Sequence, residues 1–140
     1  MKIAVRYYTR TGNTEKLAKT VAAAVGVTAE DVSVPLAEKA DVLFLGSAVY
    51  AAGVDEAVKT FLAQNAAKIG RIVNFSTAAV LRSTYNQVKK LAEQCGVEMA
   101  AEEFYCRGSF AMLHRNRPNN KDLQNAEKFA KMIVDKEKNG

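Results

Sequence analysis

The stretch Lys2-Ile3-Ala4-Val5-Arg6-Tyr7-Tyr8-Thr9-Arg10-Thr11-Gly12-Asn13-Thr14-Glu15 decides how this chain folds. Lys2–Tyr8 reads as a strand. Glu15–Val25 reads as a helix, with Leu17, Ala18, Val21, Ala22 and Val25 recurring at helical spacing and Gly26 stopping it. Between them, Thr9, Thr11 and Thr14 place three hydroxyls around Gly12, where a strand gives way to a helix N-terminus. The unpaired N–H groups and partial positive charge of such a terminus favour an anion, and a glycine lets backbone N–H groups turn toward it. Capping by Asn13 or Thr14 accounts for one hydroxyl but not for three around a glycine. The loop Thr9–Thr14 therefore reads as a phosphate site.

Outward from this unit the alternation repeats. Asp31–Val34 reads as a short second strand ended by Pro35, and Asp41–Gly46 contains the unbroken apolar run Val42-Leu43-Phe44-Leu45 expected of a strand covered on both faces. Val54–Ala66 is the next helix, with Asp55 and Glu56 at its positive end. Arg71–Phe75 is the fourth strand. Ser83 or Thr84 caps a helix carrying Val88, Leu91, Ala92 and Cys95 on one face, closed by Gly96. Glu102–Arg107 is the fifth strand, and Pro118-Asn119-Asn120 opens a last helix with Leu123, Ala126, Ala130 and Ile133 inward. This pattern predicts an α/β fold: a doubly wound, five-stranded parallel sheet with helices on both faces, residues 1–140 forming one domain. Ligands of such sheets sit beyond the carboxyl ends of the strands, where the strand order reverses. The loops after strands one, three and four are thus the ones to read.

With 140 residues, 49% of them hydrophobic, the chain can bury a core without disulfide or metal staples. No apolar run approaches the roughly 18 residues that span a bilayer, and no charged leader precedes Lys2. The expectation is no membrane insertion and a reducing, cytoplasmic setting. Cys95 and Cys106 have no metal-ligand or redox-motif spacing, and Cys106 reads as a buried, inert thiol. His114 is the only histidine and has no second ligand at helical or hairpin spacing, so no metal site is expected. The formal charge is +5, with basic residues mostly interleaved with acids; Arg107, His114, Arg115 and Arg117 are the exception, with no acid between them. Four scattered groups are not the dense stripe of a nucleic-acid surface, and a partner-steering surface is the better reading. The apolar stretch Phe110-Ala111-Met112-Leu113 either packs on the sheet edge, folds over a ligand or docks a partner.

The loop lacks the GxxxxGK[ST] pattern of a Walker P-loop and the GxGxxG of a dinucleotide turn. The acids of a phosphoacceptor domain are replaced by Tyr7, Tyr8 and Thr9, and the loop has no cysteine for phosphatase chemistry. Instead, Tyr7-Tyr8-Thr9-Arg10-Thr11-Gly12-Asn13-Thr14 resembles the FMN-phosphate loop of the flavodoxin family, roughly [ST]-x-T-G-x-T. Gly46-Ser47-Ala48-Val49-Tyr50 resembles that family's second flavin loop, with Tyr50 where an aromatic residue stacks on the ring, though Ala51 follows it where a glycine is usual. Ser76-Thr77-Ala78-Ala79 stands where the third flavin loop would run, and Phe104–Gly108, Arg117-Pro118-Asn119 and Asp122-Leu123 are similar to a group of small flavodoxin-like proteins.

The resemblance covers nearly the whole chain. It implies the strand order 2-1-3-4-5, FMN as cofactor and electron transfer to a redox partner protein. Thr9, Arg10, Thr11, Gly12, Asn13 and Thr14 would hold the phosphate, Ser47, Ala48, Val49 and Tyr50 one flavin edge and face, and Ser76, Thr77, Ala78 and Ala79 the pyrimidine end. No catalytic side chain is needed, because the cofactor carries the chemistry. Two alternatives stand beside the carrier: a flavin-dependent reductase of a quinone or tetrapyrrole, and a non-catalytic accessory subunit that binds a partner enzyme.

Overall fold

The computed structural model describes residues 1–48, 54–78, 83–108 and 117–139. The elements are β1 (Ile3–Tyr7), α1 (Asn13–Val25), β2 (Ala29–Asp31), β3 (Ala40–Ala48), α2 (Glu56–Asn65), a 3-10 turn at Ala66–Lys68, β4 (Ile69–Ala78), α3 (Tyr85–Cys95), β5 (Glu98–Arg107) and α4 (Asn120–Asn139). The five strands form one sheet in the order β2-β1-β3-β4-β5, and every pairing is parallel. The expected α/β architecture and strand order are therefore present.

Strand alternation sorts the core into two layers. Val42, Phe44, Val73 and Phe75 join Leu17, Val21, Ala126, Ala130 and Ile133 on the face covered by α1 and α4. Leu43, Leu45 and Ile72 join Val58, Phe61, Leu62, Val88 and Ala92 on the face covered by α2 and α3. The helix packing follows from burial of each helix's apolar stripe against one face of the sheet.

Several boundaries differ from the sequence reading. The second strand is Ala29–Asp31, not Asp31–Val34. The Asp31 carboxylate accepts from the Ser33 N–H at 2.8 Å and its carbonyl from the Val34 N–H at 2.9 Å, which turns the chain before a longer strand can form. Arg6 then ties this turn to β1, its guanidinium donating to the carbonyls of Val34 and Pro35. α1 begins at Asn13 with Gly12 as its N-cap, so neither Asn13 nor Thr14 caps it. α2 begins one residue after Asp55, whose carboxylate accepts from the Ala57 N–H at 2.9 Å. At α3, Thr84 holds the cap position but the Ser83 hydroxyl accepts from the Tyr85 N–H at 2.9 Å.

The differences that matter for a site lie in the central strands. β3 extends to Ala48 and β4 to Ala78, where the sequence predicts ends at Gly46 and Phe75. Ser47, Ala48, Ser76, Thr77 and Ala78 are thus strand residues. Small polar residues have weak strand preference, and pairing between two neighbouring strands overrides it. β5 starts at Glu98 rather than Glu102, with a register irregularity opposite Ile72 and Asn74.

Candidate functional site

The carboxyl ends of β1, β3, β4 and β5 converge on the loop Thr9–Thr14. It leaves β1 next to β3, the point at which the strand order reverses. Gly12 has φ 88°, a left-handed conformation that glycine adopts without the steric cost of a Cβ. The Thr9 hydroxyl oxygen accepts from the Gly12 N–H at 2.9 Å, and the Thr11 oxygen accepts from the Asn13 N–H at 3.5 Å. A hydroxyl that accepts keeps its own hydrogen to donate. The first intrahelical bond runs from the Lys16 N–H to the Gly12 carbonyl at 3.1 Å, so the Thr14 and Glu15 N–H groups precede it. No side-chain cap covers this end of α1. Arg10, Thr11 and Gly12 are exposed. Hydroxyls, a guanidinium, backbone N–H groups and a helix dipole on one exposed turn form a donor set that fits a phosphate.

Arg10 reaches across to the start of α2. Its Nη2 lies 2.7 Å from Asp55 Oδ2, with the Tyr8 hydroxyl in hydrogen-bonding reach of both. The bond to Asp55 raises the Arg10 pKa above its ordinary value. The Ala57 N–H first, and then Arg10, hold the Asp55 carboxyl below its own. The pair links the first loop to the residues that follow the second.

Behind the loop the sheet ends in buried polar side chains. Ser47, Asn74, Ser76, Thr77, Thr84 and Thr14 are all at most 2% exposed. On the α2 and α3 face, the Thr84 hydroxyl accepts from Ser47 at 2.9 Å and from the Asn74 amide at 3.1 Å. The Thr84 N–H donates to the Ser76 hydroxyl at 3.4 Å. On the opposite face, Thr14 Oγ1 and Thr77 Oγ1 share a hydrogen bond of 2.9 Å. Beside them, a Cβ on Gly108 would stand 3.0 Å from Asn13 Nδ2 and 3.2 Å from Thr77 Cβ, so the exit of β5 closes tightly on this junction.

The residues expected at a flavin site therefore divide. Thr9, Arg10, Thr11, Gly12 and Asn13 form the exposed turn, whereas the Thr14 side chain is fully buried against β4. Ser47 and Ser76 point into one face of the sheet and Thr77 into the other. Val49, Tyr50 and Ala79, together with Ala51, Phe110–Leu113, His114 and Arg115, lie outside the described residues. Tyr85 begins α3 and donates its hydroxyl to the Ala100 carbonyl at 2.9 Å, which turns it toward β5.

Asp55, Thr84 and Gly108 escaped the sequence reading. Asp55 carried a signal, an acid at a helix start facing a loop with an arginine. Thr84 and Gly108 carried none. The basic run also changes character at its end: Arg117 forms a two-pronged ion pair with Asp122, at 2.5 and 2.7 Å, which neutralises that end of the expected steering patch. Burial first, and Asp122 second, push the Cys106 thiol up to about 12, so it stays protonated and inert. Among the described residues no group of acids, cysteines and histidines assembles that could hold a metal, and no helix is long and apolar enough to cross a membrane.

Comparison with known proteins adds a family and a fold. A family model described as a flavodoxin domain matches residues 4–109. An uncharacterized protein of Methanocaldococcus jannaschii is 29% identical over 136 residues, covering 87% of this chain and 90% of that protein. Among solved structures, a flavodoxin from the domain Archaea superposes with a TM-score of 0.78 at 15% identity, covering 97% of this chain and 98% of that one. Oxidised Flavodoxin 1 from Bacillus cereus superposes at 0.74 with 16% identity, covering 96% and 98% respectively.

Proposed function

This chain belongs to the flavodoxin family, and on that premise we propose that it binds FMN at the carboxyl edge of its sheet and carries electrons between protein partners. The observation that carries the reading is the exposed Thr9–Thr14 turn, which gathers anion donors on the N-terminus of α1 at the point of strand reversal. Thr9, Arg10 and Thr11, with the backbone of Gly12, Asn13 and Thr14, would take the phosphate. The ring system would lie beyond the ends of β3 and β4, against the segments that begin at Ser47-Ala48-Val49-Tyr50 and at Ser76-Thr77-Ala78-Ala79.

FMN, when bound, supplies the redox chemistry of such a carrier. The chain's own work is to bind and orient. The phosphate loop anchors one end of the ligand. The Arg10–Asp55 pair holds that loop to the start of α2, and the Ser47–Thr84–Asn74 network holds the start of α3 to β3 and β4. The residues that bracket both ring-facing segments are thereby fixed from behind. The net charge of +5 favours a redox partner with an acidic face.

Two measurements test the reading. Purified protein should show flavin absorbance or acquire it when FMN is added, and it should bind FMN at least about a hundredfold more tightly than riboflavin, because several charge-assisted bonds to phosphate are lost in riboflavin. Equal affinities would remove the phosphate assignment. Rapid turnover of NAD(P)H and a quinone without any partner protein would replace the carrier with the reductase.

A further inference from the structure

We infer that Thr14 and Thr77 are positioning residues for phosphate selectivity: their shared hydrogen bond aims the first turn of α1 at the phosphate, and neither hydroxyl touches the ligand. The inference rests on the FMN reading above and specifies how that site is held.

Thr14 lies in the first helical turn, within a loop whose neighbouring hydroxyls, Thr9 and Thr11, belong to the exposed turn. Its side chain does the opposite. Thr14 is 0% exposed and Thr77 is 2% exposed, and their oxygens are 2.9 Å apart across 63 residues of sequence. A threonine in a helix commonly satisfies its hydroxyl on a carbonyl of the preceding turn, as Thr20 does here with the Lys16 carbonyl at 3.2 Å. Thr14 instead reaches out of its helix to the end of β4. Gly108 explains why the fit is close, since β5 leaves the sheet against both Asn13 and Thr77 with no room for a Cβ. Three elements thus meet behind the N-terminus of α1: the helix start, the end of β4 and the exit of β5. What this junction controls is the direction of the N–H groups at the start of α1, which are the anion donors.

A hydroxyl pair of this kind has a distinctive mutational signature. Removing one member leaves the other buried without its partner, whereas replacing both with apolar groups of the same shape is close to neutral. Thr14→Val and Thr77→Val should each lower the ratio of FMN to riboflavin affinity by about tenfold. The double variant should recover most of that ratio, because two valines pack across the junction without an orphaned hydroxyl. Thr77→Ser, which keeps the hydroxyl, should retain the wild-type ratio and guards against a variant that merely fails to fold. The affinities are measured by flavin fluorescence quenching, with inorganic phosphate as competitor to report the anion subsite alone.

If Thr14 donates directly to the phosphate, the double variant stays as poor as Thr14→Val, and the inference fails. If the single variants lower thermal stability but leave the ratio unchanged, the pair is only structural and the inference fails while the FMN reading stands. If wild-type protein binds FMN and riboflavin equally, the FMN reading fails and takes this inference with it.

Discussion

The two halves of the central strands are built for different tasks. Toward their amino ends, β3 and β4 carry Val42, Leu43, Phe44, Leu45, Ile72 and Val73, each at most 1% exposed and embedded in one of the two apolar layers. Toward their carboxyl ends the same two strands carry Ser47, Asn74, Ser76 and Thr77, equally buried but hydrogen-bonded. Burying a hydroxyl or amide gains little stability even when it is paired, and an apolar residue of the same size would stabilise the fold as well or better. The polar ends are therefore better explained by the loops they hold. Hydrogen bonds are directional and apolar contacts are not, so a polar network fixes a loop's position where packing would fix only its burial.

Substitutions in the two halves should separate stability from binding. The largest effect belongs to the apolar half: Phe44→Ala, at a fully buried position, should lower unfolding free energy by about 3–5 kcal/mol in urea titration. Molecules that remain folded should keep their preference for FMN over riboflavin. A stable Phe44→Ala protein with lost preference would break the division of labour.

The converse test is Thr9→Val combined with Thr11→Val on the exposed turn. FMN affinity should fall by about a hundredfold while riboflavin affinity and the thermal midpoint change little. A matching loss for riboflavin would place these hydroxyls away from the phosphate.

Acid should weaken the other polar anchor, at the start of α4. Burial alone would raise the Asp122 pKa, but Arg117 and the Asn119 N–H hold the carboxyl below its ordinary 3.8. A depressed carboxylate stabilises the fold fully above its unfolded pKa, and that contribution is lost as pH falls through the lower folded value. Stability should therefore decline as pH drops below about 4. Asp122→Asn should be less stable than wild type at pH 7, and the difference between the two should shrink in acid, as read by thermal melts across pH. A difference independent of pH would show that the ion pair contributes nothing.

The smallest effect is expected at Asp55. Asp55→Ala removes the N-cap of α2 and should cost about 1 kcal/mol of stability. It also removes a carboxylate beside Arg10, so FMN affinity should rise at low ionic strength and the gain should fade with added salt. Weaker FMN binding at low salt would mean that Asp55 positions Arg10 for the phosphate instead of competing for it.

Much of this molecule was legible in its residues. The alternation of apolar runs with helical stripes predicted the parallel sheet and its helices, because each element must bury one face and the spacing of apolar residues records which. The exposed turn was legible for the same reason: Thr9, Thr11 and Gly12 act within six residues of one another, and local hydrogen bonds leave local patterns. The ends of the strands were not legible. Ser76 and Thr77 look like loop residues, yet pairing with β3 and β5 extends β4 through them, and alternation then sends their hydroxyls to opposite faces. Nor does any local pattern tell that Thr14 turns inward to Thr77, that Arg10 meets Asp55 or that Tyr85 reaches Ala100. The sequence by itself determined which elements form and where an anion would be received. Only the tertiary structure decided which hydroxyls face that anion and which hold the turn from behind, because that choice depends on side chains brought together across the sheet from distant positions in the chain.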